Sequence, residues 1–110
     1  MKYLIPLTLL LLLFSCEDNL TEVEEFDLIF ISSEGNFGAG DGSIEVFKGT
    51  EKIQTVINVG DVVQSILVHE DDLFVAVNNS HIIKKYDITE SGLALPGIEV
   101  STNNSGPREM

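Results

Sequence analysis

Two parts of this chain share the same order of short motifs, and this internal repeat restricts the fold more than any other feature. Asp27-Leu28-Ile29-Phe30 recurs as Asp72-Leu73-Phe74-Val75, 45 residues further on. Three more pairs follow in the same order: Val46-Phe47 with Lys85-Tyr86 at 39 residues, Ile57-Asn58-Val59-Gly60 with Ile98-Glu99-Val100-Ser101 at 41, and Val63-Gln64-Ser65-Ile66 with Pro107-Arg108-Glu109-Met110 at 44. A period of about 40 to 45 residues is typical of proteins that stack copies of one supersecondary unit.

Short β-type runs fill both units. The apolar residues do not keep the three-and-four spacing of a helix over any window, and they occur instead in brief runs rich in Val, Ile and Phe. Leu28-Ile29-Phe30-Ile31 is apolar throughout, which predicts a strand covered on both faces. The sequence therefore predicts an all-β fold. Its seven runs lie at residues 28–31, 43–46, 55–59, 65–68, 73–77, 82–86 and 98–100, with turn-forming Asp, Asn, Ser and Gly between them.

The repeat period and the strand number together favour part of a β-propeller, whose blades are small sheets of this length. We assign about two blades of short antiparallel strands, at residues 27–60 and 61–103, and the start of a third at 106–110. Propellers close with four to eight blades, so the prediction is an incomplete ring. Its terminal faces are expected to lack neighbours at residues such as Leu28, Phe30, Leu73 and Val75.

The first fifteen residues have the plan of a secretory signal peptide: Lys2, then an apolar core at residues 3–14. This core is shorter than the roughly 20 apolar residues of a spanning helix. Leu13-Phe14-Ser15-Cys16 resembles the lipobox of bacterial lipoproteins, which implies cleavage before Cys16 and acylation of its thiol and new amino group. The alternative is an ordinary signal peptide with a stray cysteine nearby. Cys16 is the only cysteine, so an intramolecular disulfide is excluded.

An acidic segment follows the cysteine, with five acids and no base at residues 17–25. It is typical of a solvated tether, and we assign residues 16–26 to a lipidated cysteine and its tether. Without residues 1–15 the chain carries 18 acidic and five basic residues, a net side-chain charge of −13. Nucleic acid is excluded as a partner by this balance, because it binds through an excess of Lys and Arg.

The second unit resembles the repeat of YncE-like β-propellers, through residues 73–79, 82–87 and 97–100. Gly106-Pro107-Arg108-Glu109 is similar to the opening of their next blade, and residues 33–38 are similar to the first blade of Bacteroidetes lipoproteins of this type. The first unit departs from the family pattern, since Val62-Val63 stands where Gly-Pro is expected. The acidic residues directly after Cys16 also resemble the surface-export signal of Bacteroidetes lipoproteins, which implies anchoring at the outer membrane, exposed on the cell surface.

The richest local pattern is the loop at residues 33–42, which is longer than its counterpart at 78–81. Its glycines permit close backbone approach, Phe37 offers an apolar platform, and Glu34, Asn36 and Asp41 offer oxygen acceptors. The loop matches neither a nucleotide loop nor a calcium loop, because a strand follows it and the EF-hand spacing is absent. Because it offers both an apolar platform and oxygen acceptors, this loop is the candidate ligand loop. A plain inter-strand connection is the alternative.

Two other patterns are weaker. His69-Glu70-Asp71-Asp72 and His81 would form a zinc site only if both histidines met across a hairpin, and polar turn residues are the simpler interpretation. Lys84-Lys85 is interpreted as a soluble strand edge in preference to an anion site. We assign no catalytic residue, no metal ligand and no cofactor.

Two functions remain open. The first is a surface lipoprotein whose propeller captures a small molecule, metal complex or glycan, with a TonB-dependent transporter as a possible partner. Cobalamin and siderophores are the ligand classes that the resemblance implies. The second is a propeller enzyme of the lactonase or quinoprotein dehydrogenase type, which needs Asp, Glu, His or Asn side chains that converge near the ring axis.

Overall fold

A computed structural model describes residues 27–110. The signal peptide, Cys16 and the acidic tether assigned from the sequence lie outside these residues. The prediction of an all-β fold is confirmed: residues 27–110 form two antiparallel sheets and include no helix, so none that could cross a membrane. The strands are β1 (Leu28–Ser33), β2 (Ser43–Lys48), β3 (Glu51–Val56), β4 (Val63–His69), β5 (Asp72–Val77), β6 (Ile82–Thr89), β7 (Gly92–Leu93) and β8 (Ile98–Ser101).

The first sheet has the order β1-β2-β3. A two-residue turn at Gly49 and Thr50 joins β2 to β3, with Lys48 opposite Glu51 and Gly49 at a φ of 63°. This turn starts β3 four residues earlier than the run at 55–59 predicts. Most of that run is not a strand, because the chain leaves the sheet after Val56 and continues as a linker to β4.

The second sheet has the order β4-β5-β6, and both β7 and β8 pair with β6. They act as one interrupted outer strand, since β7 pairs near Ile88 and β8 pairs from Ile82 to Lys85. The interruption brings Gly97 against the ring of Tyr86, where a Cβ at position 97 would lie 2.7 Å from a ring carbon. Sequence periodicity did not predict β7, because a two-residue strand is too short to show alternation.

The sheets pack face to face, with β1 against β4 and β3 against β7. We call the side of each sheet that points at the other its core face, and the opposite side its open face. Gln54 joins β3 to β7, because its side-chain amide donates to the Leu93 carbonyl at 2.9 Å and its side-chain oxygen accepts from the Leu93 amide at 2.7 Å. The buried core consists mainly of Ile44, Val46 and Val56 from the first sheet and Val63, Leu73, Val75, Val77, Tyr86 and Leu93 from the second.

Two predictions about exposure are wrong. The strand at residues 28–31 is covered on one face only, with Ile29 51% and Ile31 48% exposed. Leu73 and Val75, expected to lack neighbours, are fully buried, and Leu28 and Phe30 pack against the core. The reason is strand alternation: the residues that point at the other sheet are covered, and the alternate residues carry the open faces.

Strand pairing also corrects the repeat displacements. Phe30 lies opposite Val46 in the first sheet, and Phe74 lies opposite Lys85 in the second. The displacements of 45 and 39 residues therefore disagree by one residue: with Val46 kept at Lys85, 39 residues away, Phe30 corresponds to Phe74 at 44 residues. The same argument for β3 and β8 pairs Val56 with Val100 at 44 residues instead of 41, since Val56 faces Ile44 and Val100 faces Ile83.

Candidate functional site

Four connections lie at the same end of the two sheets, and we call them the loop end. They are the β1–β2 loop at residues 34–42, the β3–β4 linker at 57–62, the β5–β6 turn at 78–81 and the segment at 102–106 after β8. Hydrogen bonds run between them and hold the candidate ligand loop against the linker. The Gly42 amide donates to the Gly60 carbonyl at 2.9 Å, and the Val59 amide donates to the Gly42 carbonyl at 2.8 Å.

Inside the β1–β2 loop, Asn36 and Asp41 bind each other. The Asn36 backbone amide donates to Oδ1 of Asp41 at 2.6 Å, and its side-chain amide donates to Oδ2 at 2.9 Å. Gly35 permits this closure, because it has a φ of 79° and any Cβ there would overlap Asp41. The side-chain hydrogen bond from Asn36, followed by the backbone one, lowers the pKa of Asp41 below its ordinary 3.8. Asn36 and Asp41 therefore shape the loop, and both Asp41 oxygens already accept hydrogen bonds.

The other two predicted ligand residues have exposed side chains at the surface. Phe37 is 81% exposed at the tip of the loop, next to the turn in which the Ala39 amide donates to the Asn36 carbonyl at 3.0 Å. Glu34 is also exposed, and its carbonyl accepts from the Val63 amide at 3.3 Å. The side chains of Phe37 and Glu34 are thus exposed to solvent, whereas Asn36 and Asp41 are bonded to each other within the loop.

Asp61 is the residue that links the loop end together. One carboxylate oxygen accepts from the Gly38 amide at 2.9 Å, and the other accepts from the side-chain amide of Asn79 at 2.6 Å. Its backbone amide donates to the Ser80 hydroxyl at 2.9 Å, and its carbonyl accepts from the Asn79 amide at 3.0 Å. Three connections from both sheets therefore meet at one carboxylate.

A second set of bonds holds the segment after β8. The Asn78 side chain donates to the carbonyls of Gly106 at 3.1 Å and Pro107 at 3.2 Å. Nδ1 of His81 accepts from the Gly106 amide at 3.1 Å, and the His81 carbonyl accepts from the Thr102 amide at 2.8 Å. Val62 and Gly106 have nearly the same positive φ, 63° and 60°, so the backbone has the same local conformation before Val63 and before Pro107.

The loop end is negatively charged. Its four connections contain Glu34, Asp41 and Asp61 but no Lys or Arg. Such a surface repels anions and favours cationic or uncharged ligands. Its exposed aromatic ring and its many amide and hydroxyl groups can contact apolar and hydroxylated ligand surfaces.

A zinc site at the two histidines is not formed. His69 ends β4, whereas His81 precedes β6 at the loop end, so the length of β5 separates them. Among residues 27–110 no group of three or more His, Cys, Asp or Glu side chains could hold a metal ion. Within the described part of the chain, Glu70 is the one carboxylate near His69, at 4.0 Å, and His81 is engaged with Gly106.

The two adjacent lysines are paired with carboxylates. Lys84 lies 3.9 Å from Glu99, and Lys85 lies 3.6 Å from both Asp72 and Asp87. The prediction that these lysines lie on an edge strand is wrong, because β6 pairs with β5 on one side and with β7 and β8 on the other. The carboxylate neighbours leave these lysines poorly suited to bind an anion.

Two shallow clefts lie away from the loop end. One, of about 230 Å³, is lined by Lys85, Asp87, Ala94, Leu95, Gly97 and Ile98. The other, of about 380 Å³, is lined by Lys48, Ile53, Glu90 and Ser91. Neither cleft includes a residue of the β1–β2 loop.

Sequence reasoning missed the role of Asp61, Asn78 and Asn79. Each stands in a turn segment, where Asp and Asn are common for local reasons. The side-chain hydrogen bonds of Asn78 and Asn79 reach residues 18 to 29 positions away in the chain, and a single sequence carries no signal for such contacts. Comparison of the sequence with known protein families and with curated proteins gives no match.

Proposed function

We propose that this chain is a lipid-anchored surface protein of the outer membrane whose sheets form part of a β-propeller and whose loop end captures a small molecule, a metal complex or a glycan. The observation that carries the proposal is the bonding at Asp61, which fixes an exposed aromatic loop to the linker and to the neighbouring turn. A preorganised loop binds with a smaller entropic cost than a free one.

The stacking of the sheets supports the propeller. Both sheets are antiparallel, strands that follow each other from β1 to β3 and from β4 to β7 are neighbours, and the sheets pack face to face with the loop end in common. Blades of a propeller have this arrangement, and inter-strand loops on one side of the ring are a frequent place for ligands.

The charge of the loop end narrows the ligand class. Without Lys or Arg in the four connections, we expect an uncharged or cationic ligand with an apolar patch that rests on Phe37. Glycans and cobalamins fit this description better than anionic ferric siderophores do. Delivery of the ligand to a TonB-dependent transporter is the expected next step for a protein anchored at this surface.

Calorimetry with the full chain in mild detergent tests the ligand. Cobalamins, ferric siderophores and oligosaccharides are titrated against the parent, against Phe37→Ser, and against a variant whose β1–β2 loop is shortened by five residues to the length of 78–81. Binding that falls at least tenfold in both variants supports the proposal. Leu95→Ser is the matched control, because Leu95 is an exposed apolar residue remote from the loop end. Unchanged affinity in both loop variants contradicts it, and turnover of any tested compound transfers the assignment to the lactonase or quinoprotein class.

Mass spectrometry of the membrane fraction tests the anchor separately. The expected product begins at Cys16 and carries more than one acyl chain, because a single chain binds membranes only marginally. Cys16→Ser should leave an uncleaved precursor. A soluble product that retains residues 1–15, or an unmodified Cys16, contradicts the anchor and leaves the ligand assay unaffected.

A further inference from the structure

Each sheet has an open face with apolar side chains. On the first sheet this face is formed by Ile29, Ile31 and Phe47, and on the second by Leu67, Phe74, Ile83, Ile98 and Val100. Contiguous apolar surface of this kind commonly marks an interaction site. The internal packing of the two sheets indicates what fits on it.

The two sheets are stacked in the same sense. β1 and β5 both run toward the loop end, β1 lies against β4, and β3 lies against β7. The contact between the two core faces therefore joins opposite sides of the repeated unit, as in a stack of successive units. Under such stacking, a residue on the core face of one sheet corresponds to a residue on the open face of the other.

Strand register gives this correspondence residue by residue. On the core face of the first sheet, Phe30, Ile44 and Val56 correspond to Phe74, Ile83 and Val100 on the open face of the second. On the open face of the first sheet, Ile29, Ile31 and Phe47 correspond to Leu73, Val75 and Tyr86, which are buried on the core face of the second. The two open faces thus repeat the two halves of the contact already made inside the chain.

We propose that a second copy of this chain docks head to tail, with the open face of its first sheet on the open face of the second sheet. The proposal goes beyond the proposed function and depends on neither the ligand nor the lipid anchor. Because the two docking surfaces differ, each added copy leaves one of them free, and association continues until a ring closes.

The charged groups on the open faces are compatible with burial. Lys85 already pairs with Asp72 and Asp87, and Glu45 already lies 3.5 Å from Lys52. Stacking would therefore bury each of these side chains next to a group of opposite charge. At the position that corresponds to Glu45, the internal contact carries Lys84, which is mostly buried beside Glu99.

The free edge of β1 gives the contact a specific register. β5 pairs with both β4 and β6, whereas β1 pairs only with β2 among the strands of residues 27–110. Residues 107–110 correspond to 63–66 at the start of β4, and Ile66 lies opposite Val75. We therefore expect residues 107–110 of one copy to extend along β1 of the next, with Met110 opposite Ile31.

Disulfide trapping between two single-cysteine chains tests this register. Both carry Cys16→Ser, so that the introduced thiol is the only one; one carries Ile31→Cys and the other Met110→Cys, and they are mixed in mild detergent and oxidised. A mixed disulfide should form, while each variant alone stays largely uncoupled. Ile29→Cys replaces Ile31→Cys as the matched control and should couple at least about tenfold less, because it is two residues out of register. Equal coupling of Ile29→Cys, or efficient coupling of Ile31→Cys with itself, overturns the proposal.

Sedimentation of the full chain in detergent provides an independent test. The parent should associate with increasing concentration, and Val100→Lys and Ile31→Lys should each weaken association by at least about tenfold, because each places a charge in an apolar contact. Both side chains are exposed in the single chain, so the fold is expected to survive. Ile57→Lys, an exposed residue of the linker, is the matched control and should associate like the parent. A parent that stays monomeric, or that is unaffected by both lysine variants, also overturns the proposal.

Discussion

The carboxylate of Asp61 lies 2.6 Å from the side-chain amide of Asn79, so the linker between the two sheets is tied to the β5–β6 turn of the second sheet. The second oxygen of the same carboxylate accepts from the Gly38 amide in the β1–β2 loop. One side chain therefore connects three segments that are separated in sequence.

Replacement of Asp61 by Ala should lower the free energy of unfolding by about 2 kcal/mol, because hydrogen bonds to a charged group contribute about 1.5 to 3 kcal/mol. Asp61→Asn should cost less, since it keeps one acceptor oxygen. Urea unfolding measures both values, and hydrogen exchange at the amide of Gly38 reports the loop directly. Asp71→Ala, in the turn at the opposite end of β5, is the control. If Asp61→Ala and Asp71→Ala prove equally mild, Asp61 does not organise the loop end.

A second prediction concerns Gly97, which lies against Tyr86. It has a φ of 75°, and a Cβ there would lie 2.7 Å from both the Lys85 carbonyl oxygen and a carbon of the Tyr86 ring. Gly97→Ala should therefore cost about 3 kcal/mol, from backbone strain and overpacking together. Gly49 has a similar φ of 63° with open space around it, so Gly49→Ala should cost only about 1 kcal/mol of strain. Equal losses of the free energy of unfolding in the two variants would show that the contact with Tyr86 is unimportant.

The parts of the fold that the sequence predicted are those with a local cause. Residues 73–77 are all apolar and lie between turn residues, and the structure has the strand β5 there. The strand β3 was misplaced because Glu51 and Lys52 are polar, and only the turn at Gly49 shows where it begins. Burial on β1 was misjudged because an apolar run does not show whether a second sheet lies on each side.

The candidate site was harder to predict than the strands. Glycine content and loop length identified the β1–β2 loop, and both are visible in one sequence. The sequence did not show which residues of this loop bind each other and which face solvent. In the structure Asn36 and Asp41 bind each other, and Phe37 and Glu34 face solvent. The contacts of Asp61 with Gly38 and Asn79 span 23 and 18 residues, and depend on how the two sheets stack.

A third prediction follows from the pKa of Asp41. Hydrogen bonds from Asn36 lower it in the folded protein relative to the ordinary 3.8, so folding favours the carboxylate. The stabilisation is present above about pH 3.8 and is lost as the pH falls through the lower folded pKa. NMR titration of the Asp41 carboxyl should show the lowered pKa in the parent and a return toward 3.8 in Asn36→Ala. Ser91→Ala, in the exposed turn at the other end of the sheets, should leave the titration of Asp41 unchanged. The same curve in the parent and in Asn36→Ala would contradict the assignment.

The last prediction compares two threonines with different surroundings. The hydroxyl of Thr102 is enclosed and has no hydrogen-bond partner among residues 27–110, whereas its backbone amide is bonded to His81. Thr102→Val removes an unpaired polar group and keeps the shape, so the free energy of unfolding should stay the same or rise by up to about 1 kcal/mol. The Thr89 hydroxyl donates to the Gly92 carbonyl at 3.0 Å and accepts from the Ser91 amide at 3.3 Å. Thr89→Val should therefore lower the free energy of unfolding by about 1 kcal/mol. Urea unfolding of both variants gives the comparison, and a loss in Thr102→Val as large as that in Thr89→Val would show that the Thr102 hydroxyl has a partner, such as a bound water.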